Sequence, residues 1–456
     1  MSTEVAGTVR PGGRRRAGRA APGSATVAVI AVQAAIWAGA TAVLALWWVD
    51  TASVVGPAGW FTGAGRITGL LAGYACAVLV VLMARVPVLD RTLGTDRMTR
   101  WHAAAGRYTI GLTLAHAVLI VEGYALTGRT DPVTEGVRVV LHYPDMLKTT
   151  AALLLLLLTA VVSARAARRR LSHETWYYLH LLTYAAVFLA FGHQITNGAD
   201  FDRPAVRAAW YVLYTGAAAL IVWFRMLTPV RLSRRHGLRV AGIRREAPDV
   251  VSVLVTGDRM DELTVRPGQF FRWRFLAPGL WWTASPYSVS AVPDGRGLRI
   301  TVKALGGHSA ALATVRPGTR VWAEGPYGAL TPDRAAGRPA LLLAAGVGIT
   351  PLRVLFETLP RDPVLIHWAR RPEDLVLRHE IDAIAAHRGA RAHYSVSHPT
   401  GYRLPLDAAT LRGLVPDVAG RACFLCGPPS WSAAAEAALR EAGVPAHRIH
   451  HESFTW

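Results

Sequence analysis

The sequence predicts a multidomain membrane protein: a six-helix transmembrane bundle, then a small antiparallel β-barrel, then a doubly wound α/β domain. Three observations carry this. Apolar residues make up 52% of the chain and concentrate before residue 230. Beyond that point come short β-branched runs broken by Gly and Pro. Near residue 346 a glycine-rich turn joins a strand to an amphipathic helix. The same changes of texture set the expected boundaries: a basic tail over 1–24, the bundle over 25–230, the barrel over 231–335 and the α/β domain over 336–456.

Six stretches, 25–49, 66–84, 100–124, 149–165, 174–195 and 206–226, approach the ~20 apolar residues that cross ~30 Å of hydrocarbon. The fourth is the plainest, with an unbroken leucine run from Leu153 to Leu158. The third is the least apolar, as suits a helix facing a cofactor. The first is too long for the core of a cleavable signal and is read as a span. A net charge of +20 would suit nucleic acid, but its placement does not. Arg14, Arg15, Arg16 and Arg19 crowd the tail, and Arg85, Arg91, Arg97 and Arg100 follow span two. Arg165, Arg168, Arg169 and Arg170 follow span four, and Arg231, Arg234 and Arg235 follow span six. The alternate loops carry Asp50, Asp131, Asp145, Asp200 and Asp202. Basic loops stay on the cytoplasmic side. The expectation is a multi-pass protein of the cell membrane, held in the lipid bilayer with both termini cytoplasmic and no nucleic-acid partner.

Within the spans stand four histidines in two pairs, His102 and His116 as H-x13-H, and His180 and His193 as H-x12-H. An ionisable side chain inside a membrane is costly and points to function by default. Two opposed imidazoles complete the axial coordination of haem iron. A lone histidine is more often satisfied by a backbone carbonyl; matched pairs on two spans favour ligation. Partners within each pair lie ~20 Å apart along a helix, room for two haems, one near each membrane face. On the expected topology His102 faces His180 on the cytoplasmic side and His116 faces His193 on the outer side. A fourteen-residue step returns to nearly the same helix face, whereas thirteen does not. The second helix therefore needs a tilt, an irregularity near Gly192, or different ring orientations. His142 and His173 fall outside the pattern. Tyr108, Tyr184 and Phe188 lie between the two levels, either between haems or in ordinary helix packing. Arg107 either meets a haem propionate or snorkels to the interface.

After residue 230, runs such as Val250–Val255, Phe270–Trp273, Leu298–Lys303 and Arg320–Glu324 read as closely spaced strands of a small barrel. From residue 339 the pattern becomes strand, turn, helix, strand, which implies a parallel sheet. The turn Gly346-Val347-Gly348-Ile349-Thr350-Pro351 follows a strand and opens a helix, where phosphate oxygens meet free backbone N–H groups. Cys426-Gly427-Pro428-Pro429 follows a later apolar strand, and Phe454 and Trp456 end the chain. The three cysteines, Cys76, Cys423 and Cys426, make no disulfide framework. Cys423 and Cys426 stand three apart on a strand, so their side chains point to opposite faces and form no shared dithiol or metal site.

These residues resemble the ferric reductase and NADPH oxidase family of transmembrane flavocytochromes, over about residue 60 to the C-terminus. The four histidines match the family's two haem-ligand pairs in spacing and order, and the later half is similar to a ferredoxin–NADP reductase module. The resemblance implies an FAD-binding barrel and a nicotinamide-nucleotide domain. It makes Ser285-Pro286-Tyr287-Ser288-Val289-Ser290 the flavin-binding segment, with Tyr287 contacting the flavin and Ser288 hydrogen-bonding it. It makes Gly306-Gly307-His308-Ser309 the turn for the FAD pyrophosphate, with His308 acting through its backbone. Gly346, Gly348, Thr350, Pro351, Gly427 and Pro428 then serve the nicotinamide nucleotide. Phe454 stacks on the isoalloxazine, with Trp456 as the alternative, and Cys426 and Phe454 are the side chains at the catalytic step. The family carries Arg or His where this chain has Ser285. Losing that cation weakens the hold on the pyrophosphate; Lys303 either compensates or faces solvent.

Arg370 and Arg371 follow the strand Val364–Trp368, where a doubly wound domain meets the adenosine ribose. Arginine there suits the 2′-phosphate of NADP, and an acidic residue suits NAD; if these arginines are only solvated loop residues, NADH remains a donor. The expected activity is a transmembrane NAD(P)H oxidase or ferric-chelate reductase. Electrons pass from cytoplasmic NADPH through FAD and two b-type haems to oxygen or a ferric chelate. A membrane carrier feeding a dedicated redox partner is the alternative. A flavoreductase whose spans are only an anchor is a more distant rival.

Overall fold

The structure, a computed structural model, describes residues 24–49, 51, 54–164, 170–171, 173–397 and 403–453. Nearly all of the basic tail, part of the arginine cluster after span four, and both Phe454 and Trp456 lie outside them.

Six helices among the described residues are long and apolar enough to cross a membrane: Val27–Trp48, Gly56–Met83, Arg97–Gly128, Met146–Ser163, Glu174–Asn197 and Pro204–His236. They lie within α1 (Ser24–Trp48), α2 (Gly56–Met83), α4 (Thr95–Gly128), α6 (Met146–Ser163), α7 (His173–Asn197) and α8 (Pro204–Ile221) with its continuation α9 (Thr228–His236). Two shorter helices, α3 (Pro87–Leu93) and α5 (Pro132–His142), occupy stretches expected to be loops. Each opens on a proline at a first-turn position, where the missing N–H costs nothing. Asp131 also caps α5 by accepting from the N–H groups of Val133 and Thr134. Between α8 and α9 the helix widens into a π turn, Val222–Leu227, just before Pro229, and the Thr228 N–H reaches back to the Trp223 carbonyl.

α2 and α4 pack closely because α2 carries glycine where they meet. A Cβ on Gly69 would lie 2.5 Å from Nδ1 of His116, and one on Gly65 would lie 2.8 Å from the Ile120 side chain.

The next six strands are β1 (Arg239–Ala247), β2 (Val250–Thr256), β3 (Phe270–Phe275), β4 (Ser285–Ser288), β5 (Gly297–Lys303) and β6 (Val321–Tyr327). They form two antiparallel three-stranded sheets, β1-β2-β5 and β4-β3-β6. Isolated bridges join Arg239 to Arg320 and Val289 to Ile300. The two short sheets, linked by single bridges at both edges, close over one core containing Val253, Phe271, Trp273 and Ile300. A short helix, α10 (Gly307–Ala311), follows β5.

Five parallel strands complete the chain: β7 (Ala340–Ala345), β8 (Val364–Ala369), β9 (Arg391–Val396), β10 (Ala422–Gly427) and β11 (Ile449–Ser453). Their order is β11-β10-β7-β8-β9. Strand alternation splits their side chains between two cores. Leu342, Ala344 and Phe424 share one with α11 (Ile349–Thr358) and α12 (Arg378–Arg388). Leu341, Leu343 and Leu425 share the other with α13 (Ala408–Leu414) and α14 (Pro429–Glu441). Burial on both faces explains why these strands read as unbroken apolar runs.

Candidate functional site

α4 presents His102 and His116, and α7 presents His180 and His193. The structure brings them together as two facing pairs. Ring centroids lie 5.9 Å apart for His102 and His180 and 6.1 Å apart for His116 and His193. Metal–imidazole bonds of about 2.0–2.1 Å, with each ring centre about 1.1 Å beyond its nitrogen, put two rings on one metal about 6 Å apart. Both pairs meet that spacing. Each offers two donors, so the remaining positions of a shared metal fall to a ligand from outside the described residues.

The second ring nitrogens are also engaged. Nδ1 of His102 lies 3.3 Å from the Leu79 carbonyl, that of His116 2.8 Å from Gly65, and that of His193 2.7 Å from Ala190. A carbonyl only accepts, so Nδ1 carries the proton in these three rings and the lone pair sits on Nε2. Metal-ligating histidines are held in this way. His180 differs: its Nδ1 lies 3.3 Å from the Ser163 hydroxyl, which also accepts from Trp176 Nε1. The Trp176 ring stacks on His180 at 5.1 Å.

The thirteen-residue step on α7 is accommodated without a break in the helix. α7 runs unbroken through Gly192, while the interplanar angle is 69° in the first pair and 46° in the second. Tyr108, Tyr184 and Phe188 are all exposed, as is Arg107.

The later domains dock at the end of the bundle that holds His102 and His180. The Gly328 N–H donates to Asp90 of α3, at 3.0 Å. Glu324 on β6 meets Arg225 of the last span at 3.4 Å, Arg272 of β3 at 3.2 Å and the Tyr327 hydroxyl at 2.9 Å. Burial alone would raise the Glu324 carboxyl, but Arg225 and Arg272 hold it below the usual range. Tyr178 at the start of α7 donates to the Trp282 carbonyl. A cleft lined by Tyr177, Tyr178, Arg272, Arg274, Trp282 and Ala284 opens between α7 and the approach to β4.

Ser285, Pro286, Tyr287 and Ser288 form β4, beside that cleft, followed by Val289 and Ser290. The Ser288 hydroxyl is buried and has no partner among the described residues. Burial pushes the Tyr287 hydroxyl up to about 12, despite a hydrogen bond from Ser285. In the turn at Gly306, Gly307, His308 and Ser309, the Ser309 hydroxyl accepts from the N–H groups of Leu305 and Gly306. Both His308 ring nitrogens are enclosed without a partner among the described residues, and the ring sits edge-on to Trp282 at 6.4 Å. Such orphaned polar atoms are costly unless a ligand satisfies them. They suit a flavin nucleotide across this surface. Lys303 is neither a spare cation nor solvent-facing. Its ammonium lies 2.7 Å from Asp374 and 3.3 Å from Asp249.

The two nucleotide motifs meet. A Cβ on Gly348 would lie 2.2 Å from the Cys426 carbonyl oxygen, and one on Gly427 would lie 2.9 Å from the Ala345 Cβ. Gly346 has φ +54°, a left-handed conformation that glycine adopts without strain. Thr350 and Pro351 begin α11, and the Thr350 hydroxyl donates to the Val347 carbonyl at 3.0 Å. Pro428 caps α14. His367, whose strand position gave no hint of a role, is fully buried, which pushes its pKa down to about 4. Its Nε2 donates to the Gly346 carbonyl at 3.0 Å and fixes the turn.

The Cys426 thiol is fully buried in the α11 core, so this residue meets the motif through its backbone rather than its sulfur. Cys423 lies in the opposite core, as the strand alternation requires, and neither cysteine forms a disulfide among the described residues. Arg370 and Arg371 follow β8 exposed, Arg371 lying 3.8 Å from Glu373.

The family described as ferric reductase like transmembrane component matches residues 68–191, which include His102, His116 and His180 and end two residues before His193. An NADPH oxidoreductase of Mycobacterium tuberculosis is 30% identical over 288 residues, covering 58% of this chain and 74% of that protein. The chain belongs to the ferric reductase-type transmembrane flavocytochromes. This flavocytochrome is also 32% identical over 228 residues to the stachydrine N-demethylase reductase subunit of Rhizobium meliloti, covering 46% of the chain and 64% of that relative. A flavohemoprotein of Bordetella pertussis is 29% identical over 279 residues, 54% of this chain and 69% of that one. Among solved structures, the flavohemoglobin of Malassezia yamatoensis with bound FAD and heme aligns over 84% of this chain and 94% of its own, at 20% identity and a TM-score of 0.45. The chain spans a little under two thirds of the length of the stachydrine N-demethylase reductase subunit. The matched family and the six apolar helices make it a multi-pass membrane protein whose later half is similar to these reductases.

Proposed function

We propose that the protein carries electrons from cytoplasmic NADPH across the membrane to an acceptor on the opposite face, either oxygen or a ferric chelate. The observation that carries this reading is the pair of facing histidine couples, with the flavin-side domain docked against the nearer one. When bound, the nicotinamide supplies a hydride, the flavin divides its electron pair, and haem iron carries single electrons.

The chain's own residues bind and orient these groups. His102 with His180, and His116 with His193, hold one b-type haem each through Nε2. Ser288 offers its buried hydroxyl to the flavin, Tyr287 lies beside it, and Gly306 to Ser309 receive the pyrophosphate. The turns at Gly346, Gly348 and Gly427 let the nucleotide approach the backbone closely, and Arg370 and Arg371 hold the 2′-phosphate. Arginine at the loops after spans two, four and six supports a cytoplasmic reductase module.

The test uses purified protein loaded with haem and FAD under anaerobic conditions, to which NADPH and then one acceptor are added. Reduction of haem by NADPH, followed by reoxidation with oxygen or ferric chelate alone, supports the reading; haem that stays oxidised overturns it. A second reading is a carrier feeding a dedicated redox partner, favoured by a relative named as the reductase subunit of a demethylase. Haem that is reduced but reoxidised by neither small acceptor selects it.

A further inference from the structure

One carboxylate joins the two halves of the reductase module. Glu380, at the start of α12, receives both terminal nitrogens of Arg299 from β5, at 2.6 and 2.7 Å. It also receives Arg244 from β1 at 2.8 Å, and Nε of Arg353 from α11 lies 3.0 Å away. Glu246 beside Arg244 and Glu357 beside Arg353 balance the remaining charge. Burial alone would raise the Glu380 carboxyl, but hydrogen bonds from Arg299 and Arg244 hold it at about 2.

The connections run to both binding surfaces. Arg299 is buried and also donates to the Ser290 carbonyl at 2.6 Å and the Ser290 hydroxyl at 3.1 Å, at the end of the flavin-binding segment. Arg353 sits on the helix that begins with the glycine-rich turn. The Lys303 contact with Asp374 is a second tie across the same boundary. A planar guanidinium held by two parallel hydrogen bonds fixes orientation as well as distance.

We propose that Glu380 is a positioning residue that sets the nicotinamide-binding turn against the flavin-binding segment. This rests on the function proposed above. Hydride transfer is steep in distance, and a misplacement of about 1 Å costs on the order of a hundredfold in rate.

The experiment compares full-length wild type with Glu380→Gln, which keeps the shape and removes the charge. Amide hydrogen exchange is read over 285–290 and 349–358, and flavin bleaching by NADPH by stopped flow. Exchange is expected to rise in both segments together. Bleaching should slow by about tenfold or more at saturating NADPH, with KM changed much less, and Glu380→Asp should recover part of the rate. Unchanged exchange overturns the clamp whatever NADPH does. Faster exchange with wild-type bleaching overturns the positioning role. If the wild type itself is not bleached by NADPH, the proposed function fails, and the exchange result still decides the clamp.

Discussion

Gly348 and Cys426 touch across the nucleotide domain, where a Cβ on the glycine would lie 2.2 Å from the cysteine carbonyl oxygen. The two motifs stand far apart in sequence, and this contact makes them one surface. It also explains why a fully buried cysteine sits in the motif: its carbonyl and the Gly427 N–H form the wall that the turn packs against. Gly348→Ala is expected to push the turn off β10 and weaken NADPH binding at least about tenfold, the scale of roughly 1.4 kcal/mol, with flavin content unchanged. Equilibrium titration with NADP⁺ checks this; wild-type affinity contradicts it.

Arg370 and Arg371 are exposed and only loosely paired, free to take a phosphate. Replacing both with alanine should raise the KM for NADPH about ten- to a hundredfold relative to NADH, from charge-assisted hydrogen bonds worth roughly 1.5–3 kcal/mol. Steady-state assays with the two nucleotides decide it. Equal effects would mean that these side chains meet solvent alone.

Glu324 ties the flavin-side domain to the bundle through Arg225 and Arg272. Removing its charge leaves two nearly buried guanidinium groups uncompensated, a loss of roughly 3–5 kcal/mol when a buried pair is broken. Glu324→Gln should therefore slow haem reduction by flavin while flavin reduction by NADPH continues at the wild-type rate. Rapid-mixing spectroscopy separates the two phases, and equal slowing of both would argue for general misfolding instead.

The Glu380 cluster has a defined pH signature. Its carboxyl is held at about 2 against an ordinary 4.5, so the folded state favours the ionised form. The stabilisation is complete above about pH 4.5 and is lost as pH falls toward about 2. The difference in Tm between wild type and Glu380→Gln should be constant from about pH 5 to 9 and shrink below about pH 4. A difference that instead disappears as pH rises would assign the effect to another group.

Much of this was legible in the sequence because it is local. Span lengths, the histidine spacing and the strand–turn–helix at Gly346 depend on residues close together. The helices α3 and α5 fall where loops were expected, because they are short and lack the apolar length that marks a span. What stayed hidden depends on distant pairing. How the six strands divide into two sheets, and how single bridges such as Arg239 with Arg320 link those sheets, depends on residues far apart in the chain. Glu380 finds Arg299 and Arg244 across 81 and 136 residues. The two Asp partners of Lys303 were equally invisible, so the lysine read as a spare cation or a solvent-facing one. The serine at position 285 is legible as a departure.

The central claim is that each facing histidine pair holds one haem, and pyridine haemochrome analysis of purified, haem-replete protein tests it most directly. The account predicts two non-covalently bound b-type haems per chain. Replacing His102 or His180 with alanine should leave only the outer haem, and replacing His116 or His193 only the inner. A wild-type ratio of one or zero, or ligand variants that keep both haems, would contradict it.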